Sequence, residues 1–315
     1  MFKRLFESWL AKRLRASDTT RLAQHNIYIL PTKAGLAFAL TLLLMLVAAI
    51  NYQLNLGYVL TFLLAGAGGV SMHLTHGTLR GLTLHLKPPP PVFAGEQALL
   101  EIVLTNPGRE RNAIAVQFHR RDTPGARFAW CDVPAHGQAT VRLGFAPVHR
   151  GWHDLPMLMV ETGFPFGLFR AWTVWRPASR VLAWPRPEQP VPPLPAAVPV
   201  AGNTAARLRS AGGEQDGVRA WRRGDPLRLL VWKKMAKSGQ LVSRETATAG
   251  AQQLWLDWPA AAGRDAEQRL SRLAAWVQAA ERDGIVWGLR LPGHELAPSS
   301  GDAHRRAALD LLATF

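Results

Sequence analysis

The sequence predicts a membrane-anchored α+β protein of several domains: a transmembrane hairpin of two helices, a β-sandwich and a C-terminal α/β domain. Between residues 34 and 79 there is no Lys, Arg, Asp or Glu, although 19% of the chain is charged. Residues 88–180 alternate apolar and polar side chains, with turn residues between the segments, as antiparallel strands do. From residue 205 onward the apolar spacing changes between the periods of strands and of helices.

The uncharged run contains two apolar blocks, Ala34 to Ile50 and Leu56 to His76. Each block approaches the length of about 20 residues that a helix needs to cross a bilayer. The short polar connector Asn51–Asn55 separates them, which predicts a tight hairpin over residues 34–79. A buried pair of helices in a soluble protein is the alternative, but such helices usually carry a polar face. A cleaved signal peptide fits less well, because the first block begins after 33 residues and no small-x-small cleavage site follows it.

Two features inside the second block add detail to the hairpin. Gly66-Ala67-Gly68-Gly69 predicts close packing against the first helix, because small residues let helix backbones approach in a membrane. His73 and His76 are one helical turn apart, which is a spacing that could bind a metal. We expect them instead at the membrane boundary, where amphipathic side chains are common.

Charge predicts the orientation of the hairpin. Residues 1–33 form a basic tail with seven basic and two acidic groups, and Arg80 and Lys87 follow the second helix, whereas the connector has no charge. Basic flanks remain on the inner side during insertion. Both termini are therefore expected in the cytoplasm, in a two-pass topology. The single cysteine, Cys131, excludes an intrachain disulfide framework and agrees with a reducing compartment.

The middle of the chain is predicted to be a small antiparallel β-sandwich over residues 88–180. Strand patterns occur at Ala98–Thr105, Ala113–His119 and Thr140–Phe145. Turn residues at 106–108 and 134–137 interrupt them at intervals typical of about seven strands. The expected role of this domain is structural or adhesive.

A proline-rich segment, residues 181–204, is predicted to be an extended spacer, because proline lacks a backbone donor and favours extended conformations. Residues 205–315 beyond it are predicted to form the α/β domain. Gln252–Trp258 and Ile285–Leu291 have strand patterns and flank a helical pattern over Asp265–Arg282. This order predicts a parallel pair with a right-handed crossover.

The predicted helix over 265–282 has recognisable ends. Asp265 can cap it together with Gln268, and Gly284 can end it. A final amphipathic helix is expected over residues 302–315. The apolar face of the predicted helix over 265–282 consists of Leu270, Leu273, Ala274, Val277 and Ala280.

Residues 219–237 form a signature segment, Arg-Ala-Trp-Arg-Arg-Gly-Asp-Pro-Leu-Arg-Leu-Leu-Val-Trp-Lys-Lys-Met-Ala-Lys. It resembles the pattern of a prokaryotic family known as domain of unknown function 58. Further resemblance lies at Pro31–Gly35, at Asn51-Tyr52 and Asn55–Gly57, and at Pro165–Arg170, so it extends over nearly the whole chain. Val231 and Trp221 depart from the pattern, which more often has Asp and Tyr there. The matching positions are Arg219, Trp221, Gly224, Asp225, Arg228, Leu230, Trp232, Lys233, Ala236 and Lys237.

The signature segment has a physical interpretation independent of the family. Gly224-Asp225-Pro226 predicts a turn, and an ion pair of Asp225 with Arg219 or Arg228 can hold it in place. Trp232 can anchor the segment in a core. The segment is thus either a folding device or a docking surface for an anion or a protein partner, with a catalytic role as a third alternative. The basic groups of such a docking surface are Arg219, Arg222, Arg228 and Lys233.

The resemblance also implies a von Willebrand factor A-like fold for the C-terminal domain, in which a metal site begins with Asp-x-Ser-x-Ser after the first strand. Residues 257–261 read Asp-Trp-Pro-Ala-Ala here, so both hydroxyl groups are missing. Hard cations such as Mg²⁺ need several oxygen ligands. The sequence therefore predicts no metal at Asp257, whose expected role is to cap the end of the strand.

No motif in the sequence predicts catalysis. Phosphate-binding loops, Gly-x-Ser-x-Gly, His-Glu-x-x-His and cysteine clusters do not occur, so we expect neither enzymatic activity nor a cofactor. The family resemblance implies a scaffold or adaptor in the bacterial inner membrane. Its implied partners are a MoxR-type AAA+ ATPase and a transglutaminase-like membrane protein, in the assembly or maturation of an envelope complex.

Two other functions stay open at this point. One is an enzyme with an unrecognised site in the signature segment. The other is a module that binds nucleic acid or anionic lipid, which the net charge of +15 suggests. Attraction to lipid headgroups explains a basic surface beside a bilayer more simply, at about 1 kcal/mol for each nearby base, and we expect no nucleic-acid partner.

Overall fold

The computed structural model describes residues 14–119, 128–196, 198–199, 218–220, 242–244 and 252–315. The chain divides into two compact units, Met1–Trp184 and Pro185–Phe315. The described residues contain four α-helices and several β-sheets, so the predicted α+β class is confirmed.

The two apolar blocks form the first two helices, as predicted. Helix α1 spans Lys33–Asn51 and helix α2 spans Asn55–Leu79, with a connector of three residues between them. Thr32 caps α1, because its Oγ1 accepts a hydrogen bond from the amide of Gly35 at 3.1 Å.

The strands of the first unit form two large antiparallel sheets and a small one. The first sheet has the order β1 (Thr19–Arg21), β3 (Thr83–Leu86), β5 (Ala98–Thr105) and β8 (Gln138–Phe145). The second has the order β2 (Tyr28–Pro31), β11 (Phe169–Trp175), β10 (Leu158–Thr162), β6 (Arg111–Phe118) and β7 (Ala129–Val133). The small sheet consists of β4 (Val92–Phe93), β12 (Arg180–Trp184) and β9 (Gly151–Asp154).

The core of the first unit lies between the two large sheets. Alternate residues of β5, from Ala98 to Leu104, are fully buried, while the intervening Leu99 is exposed. One hydrophobic cluster joins β5 residues such as Leu100 to Val160 of β10. Each fully buried side chain of this size contributes about 1.5–3 kcal/mol. The unit is therefore a sandwich, and the three strands predicted within it are present as β5, β6 and β8.

The sandwich begins earlier in the chain than predicted. Part of the predicted basic tail, residues 1–33, supplies β1, which pairs with β3, and β2, which pairs with β11. The helical hairpin is therefore inserted between strands of one domain. These strands have three and four residues, which is too short for an alternating pattern to identify them. Their partner strands also lie far away along the chain.

Asp18 fastens the start of the chain to the sandwich. Its Oδ1 accepts hydrogen bonds from the amides of Ala178 at 2.9 Å and Ser179 at 2.7 Å, and its Oδ2 accepts one from the Ser179 hydroxyl at 2.7 Å. Burial raises the pKa of Asp18, but these hydrogen bonds and the nearby His85 ring together lower it below the usual 3.8. The ionised form is therefore the one that holds the fold.

Replacing Asp18 by Asn is expected to destabilise the sandwich by about 1–2 kcal/mol, a discounted value because Asp18 is half-exposed. A carboxylate with a lowered pKa stabilises the fold above its usual pKa, and this contribution disappears as the pH falls through the lowered pKa. Melting temperatures in detergent should therefore differ between the two proteins at neutral pH and converge in acid. The control is Glu96→Gln at an exposed position, and an equal loss in both variants would contradict the assigned role.

The second unit contains the predicted strand, helix and strand. Strand β16 (Gln252–Asp257) is parallel to β17 (Trp287–Leu291), and helix α3 (Ala266–Arg282) connects them. Two antiparallel strands that were not predicted flank this pair, in the sheet order β13 (Val198–Pro199), β16, β17 and β18 (His294–Ser299). Helix α4 (Asp302–Thr314) ends the chain, and β14 (Val218–Ala220) pairs with β15 (Val242–Arg244).

The ends of α3 and its buried face agree with the sequence. Asp265 accepts a hydrogen bond from the amide of Gln268 at 2.7 Å, and Gly284 follows the helix with a φ of 65°. All five predicted core residues of the helix are fully buried.

Part of the proline-rich segment that the sequence predicted as a spacer over 181–204 is packed against other elements in the described residues. Residues 180–184 form β12 of the sandwich, and two of the following residues, Glu188 and Pro193, contact α3. Glu188 forms an ion pair with Arg272, with oxygen–nitrogen distances of 2.8 and 3.0 Å. The Trp276 indole donates to the carbonyl of Pro193 at 2.9 Å. An extended chain leaves its carbonyls unpaired, so a neighbouring helix can bind it with side-chain donors.

Candidate functional site

Most of the predicted signature lies outside the described residues. Arg219 is in β14, where its backbone pairs with that of Ser243. The other signature residues named as candidate site residues lie outside the described part of the chain. They are Trp221, Gly224, Asp225, Arg228, Trp232 and Lys233.

Asp257 lies at the end of β16, where the metal ligand of the implied fold would be. Its Oδ1 is buried and has no hydrogen-bond partner among the described residues, while its backbone carbonyl accepts from the amide of Ala261 at 3.1 Å. Within the described ranges, no group of three or more His, Cys, Asp or Glu side chains is placed to hold a metal ion.

The hairpin is the most unusual surface in the described structure. Both helices are long and apolar enough to cross a membrane, as judged by length and composition. Only 11% of the most apolar stretch of each helix is buried inside the structure. A core helix of a soluble protein would be mostly buried. The exposed large side chains of the hairpin include Leu36, Leu40, Leu43, Leu44, Val47, Ile50, Leu56, Val59, Leu60, Phe62, Leu63 and Val70.

The inner face of α2 has the opposite character. Seven of its buried and half-buried residues form a row at alternating intervals of four and three, which is the spacing of a helix-packing seam. All but one of them are small or carry a hydroxyl group. They are Gly57, Thr61, Leu64, Gly68, Ser71, Thr75 and Thr78.

Two glycines of this seam let α1 and α2 approach closely. A Cβ atom at Gly68 would lie 3.2 Å from the Phe38 ring, and one at Gly57 would lie 3.0 Å from Cβ of Ala49. A Cβ atom at Gly66 or Gly69 would meet nothing within 4 Å. Of the three glycines in the cluster at 66–69, only Gly68 faces the first helix, so the predicted close packing occurs at Gly68.

The hydroxyl groups of the seam are satisfied in part by their own helix. Thr61 donates to the carbonyl of Gly57 at 2.8 Å, and Thr78 donates to that of Leu74 at 3.0 Å. Ser71 Oγ and Thr75 Oγ1 are buried without a hydrogen-bond partner in the described structure. Helix α2 thus turns these hydroxyl groups inward and most of its large apolar side chains outward, the reverse of an amphipathic helix in water.

The last turns of α2 leave the hairpin and pack on the sandwich. They contact strands β6, β10 and β11, and Thr75, Thr78 and Leu79 are buried there. His73 is exposed and His76 is half-buried in the same turns. The exposed apolar part of the hairpin therefore continues directly into a folded domain.

The start of α1 is fixed to the sandwich by a second junction. The hydroxyl of Thr32 donates to the carbonyl of Gly167 at 2.6 Å, and the amide of Thr32 donates to that of Leu168 at 2.9 Å. Gly35 packs so tightly against the Leu168 carbonyl that a Cβ atom would overlap its oxygen. These contacts join residues more than 130 positions apart, so the sequence could not predict them.

Replacing Gly35 by Ala is expected to destabilise this junction by about 1–3 kcal/mol, because the new methyl group meets backbone that cannot move aside alone. The measurement is thermal unfolding of the protein in detergent. Gly66→Ala is the matched control, since its methyl group enters open space and the substitution favours the helix. Equal stability of the two variants would contradict the tight junction.

Comparison with protein-family models found no match, and no curated protein matches the chain. The family resemblance of the signature segment and the partners that it implies therefore stay predictions.

Proposed function

We propose that this protein is a non-enzymatic scaffold anchored in the bacterial inner membrane by its helical hairpin. The sandwich then lies at the cytoplasmic membrane surface, and the second unit is available to protein partners. Membership of the domain of unknown function 58 family and a von Willebrand factor A-like second unit are parts of the same proposal.

The observation that carries the proposal is the distribution of side chains on the hairpin. Large apolar groups face outward over both helices, and the inner face of α2 carries small or hydroxyl-bearing groups. In lipid this arrangement turns large apolar side chains toward the acyl chains, and the hydroxyl of Thr41, exposed on α1, donates to the carbonyl of Ala37 at 3.0 Å within its own helix. Small residues on the inner face of α2 allow the dense packing that holds membrane helices together. In water the same surface would be a large exposed apolar patch, which marks a binding or membrane surface.

The charges near the hairpin support a cytoplasmic location for both units. Lys33 is the first residue of α1, Arg80 and Lys87 follow α2, and all three are exposed. The connector between the helices carries no charge. Basic groups at the inner surface also gain from attraction to anionic lipid headgroups.

The proposed partners rest on the resemblance of the signature segment. We propose that a MoxR-type AAA+ ATPase docks on its basic groups, with a transglutaminase-like membrane protein in the same complex. The process would be assembly or maturation of an envelope complex. A scaffold acts by binding, so this proposal assigns no catalytic residue.

Affinity capture of the intact protein from detergent-solubilised membranes tests the partner. We expect an AAA+ ATPase in the captured material, and its loss when Arg228 or Lys233 is changed to Glu, because charge reversal opposes docking. Arg306→Glu is the matched control, an exposed basic residue of α4 outside the signature segment. Recovery of the protein alone, or equal loss in all three variants, would contradict the docking surface.

A further inference from the structure

We propose that the loop Gly163–Leu168 lies in the interface of the bilayer, with the Phe164 and Phe166 rings inserted at headgroup level. This inference rests on the proposed membrane anchor and adds a second point of attachment to it. The sandwich would then sit in a fixed orientation on the membrane, instead of hanging from two helices.

The loop presents its aromatic rings outward. Phe166 is 65% exposed and Phe164 is 40% exposed, although both flank a proline in a short turn of a well-packed domain. Two exposed phenylalanines so close together are costly in water. Aromatic side chains are favoured at membrane interfaces, where they sit at the level of the headgroups.

The backbone of the loop is braced from within. The amide of Gly167 donates to the carbonyl of Gly163 at 2.8 Å and closes the turn. The buried hydroxyl of Thr162 accepts from the amide of Phe164 at 3.1 Å and donates to the carbonyl of Ala113 at 2.9 Å. The two rings are therefore displayed on a fixed frame, so little conformational freedom is lost on insertion.

The loop lies beside the first turn of α1, and this position indicates that lipid contacts its exposed rings. Thr32 binds the carbonyls of Gly167 and Leu168, and Gly35 lies against the Leu168 carbonyl. The uncharged run begins at Ala34, so the loop is held at the depth where the apolar part of α1 begins. A helix rises about 1.5 Å per residue, so the backbone of Gly35 is only about 3 Å further along than that of Lys33. A bilayer that surrounds α1 must therefore reach the loop.

Neighbouring residues extend the same surface. Tyr28 and Leu30 are exposed on β2, the strand that leads into α1, and the Tyr28 ring lies 4.9 Å from that of Trp172. Arg170, which follows the loop, is exposed and forms an ion pair with Glu161. Apolar and aromatic groups with a basic residue beside them match the inner interface of a bilayer.

The test uses the whole chain in lipid nanodiscs, with Cys131 replaced by Ala and one cysteine introduced for an environment-sensitive fluorophore. The label is placed at Phe166, at Phe164, at Leu43 in α1, or at Trp152 as a matched exposed aromatic of the small sheet. The probes are phosphatidylcholines brominated near the headgroup or deep in the acyl chain. We expect shallow bromines to quench the labels at Phe166→Cys and Phe164→Cys, which would lie about 5–10 Å into the interface.

The other labels separate the possible results. Quenching of Leu43→Cys by deep bromines, together with loop labels that behave like Trp152→Cys and respond only to aqueous iodide, would overturn the loop insertion and leave the anchor intact. A Leu43→Cys label that bromines do not quench would overturn the anchor and the loop insertion with it. Quenching of the loop labels by shallow bromines, with Trp152→Cys unaffected, is the result that supports the proposal.

Discussion

Replacing Leu43 by Arg is expected to reduce the stable integration of the protein into membranes, because it places a charge on the apolar surface of the hairpin. Leu43 lies near the middle of α1 and is 56% exposed. An Arg at the centre of a transmembrane helix costs about 2.5–3.5 kcal/mol on the insertion scale. The measurement is the fraction of full-length protein that stays in membranes after alkaline extraction.

Leu99→Arg is the matched control for this prediction. Leu99 is 54% exposed on the outward face of β5, so both leucines present nearly the same surface, but the second one belongs to the sandwich. If water surrounded both positions, both substitutions would have the same small effect. Equal membrane fractions for the two variants would therefore contradict a lipid environment for α1.

Replacing Trp287 by Ala is expected to cost the second unit about 3–5 kcal/mol, the range for removing a large buried aromatic side chain. Trp287 is fully buried in β17, and its ring lies 4.3 Å from that of His304 on α4. Its indole nitrogen has no hydrogen-bond partner among the described residues, so the loss is one of packing. Most of the stability of a small domain would disappear.

Hydrogen exchange of the full chain in nanodiscs can measure this loss separately for each unit. Amides of β16 and β17 should lose protection in Trp287→Ala, while those of β5 and β8 in the sandwich should keep it. Trp255→Ala on β16 is the control, because Trp255 is only half-buried beneath the Arg290 guanidinium, 3.6 Å from the ring centre. An equal loss of protection in the two variants would show that burial does not decide the effect.

Regular periodicity made the helices and the long strands predictable. The two apolar blocks became α1 and α2, and the spacing of Leu270, Leu273 and Val277 identified the buried face of α3. Strand β5 begins and ends at the residues predicted, because its alternation extends over eight positions. In each case the pattern repeats often enough within one element to identify it.

Elements that depend on distant partners were missed. Strands β1 and β2 are short, and β18 contains Pro298, which weakens a strand pattern. The proline-rich segment was expected to be a spacer because its own residues favour extension, but Glu188 and Pro193 find their partners on α3. Local composition carries no information about such contacts.

The candidate site was predicted only in part. The uncharged run revealed the hairpin, but nothing local revealed that Gly68 rather than Gly66 faces α1, since this depends on the rotation of α2. Thr32 and Gly35 lie in one segment of family resemblance, and Gly167 lies in another. Nothing in the sequence indicated that these two segments contact each other. The function of the signature segment stays a prediction, because it rests on residues outside the described structure.

The central claim is that the hairpin crosses the bilayer with both folded units on the cytoplasmic side. A membrane-impermeant maleimide, applied to intact spheroplasts of a bacterial host, tests it with single cysteines in a Cys131→Ala background. Gln53→Cys, in the connector, should react from outside, and Ser300→Cys, on the second unit, should react only after permeabilisation. Labelling of Ser300→Cys in intact spheroplasts, or labelling of Gln53→Cys only after they are opened, would contradict this topology.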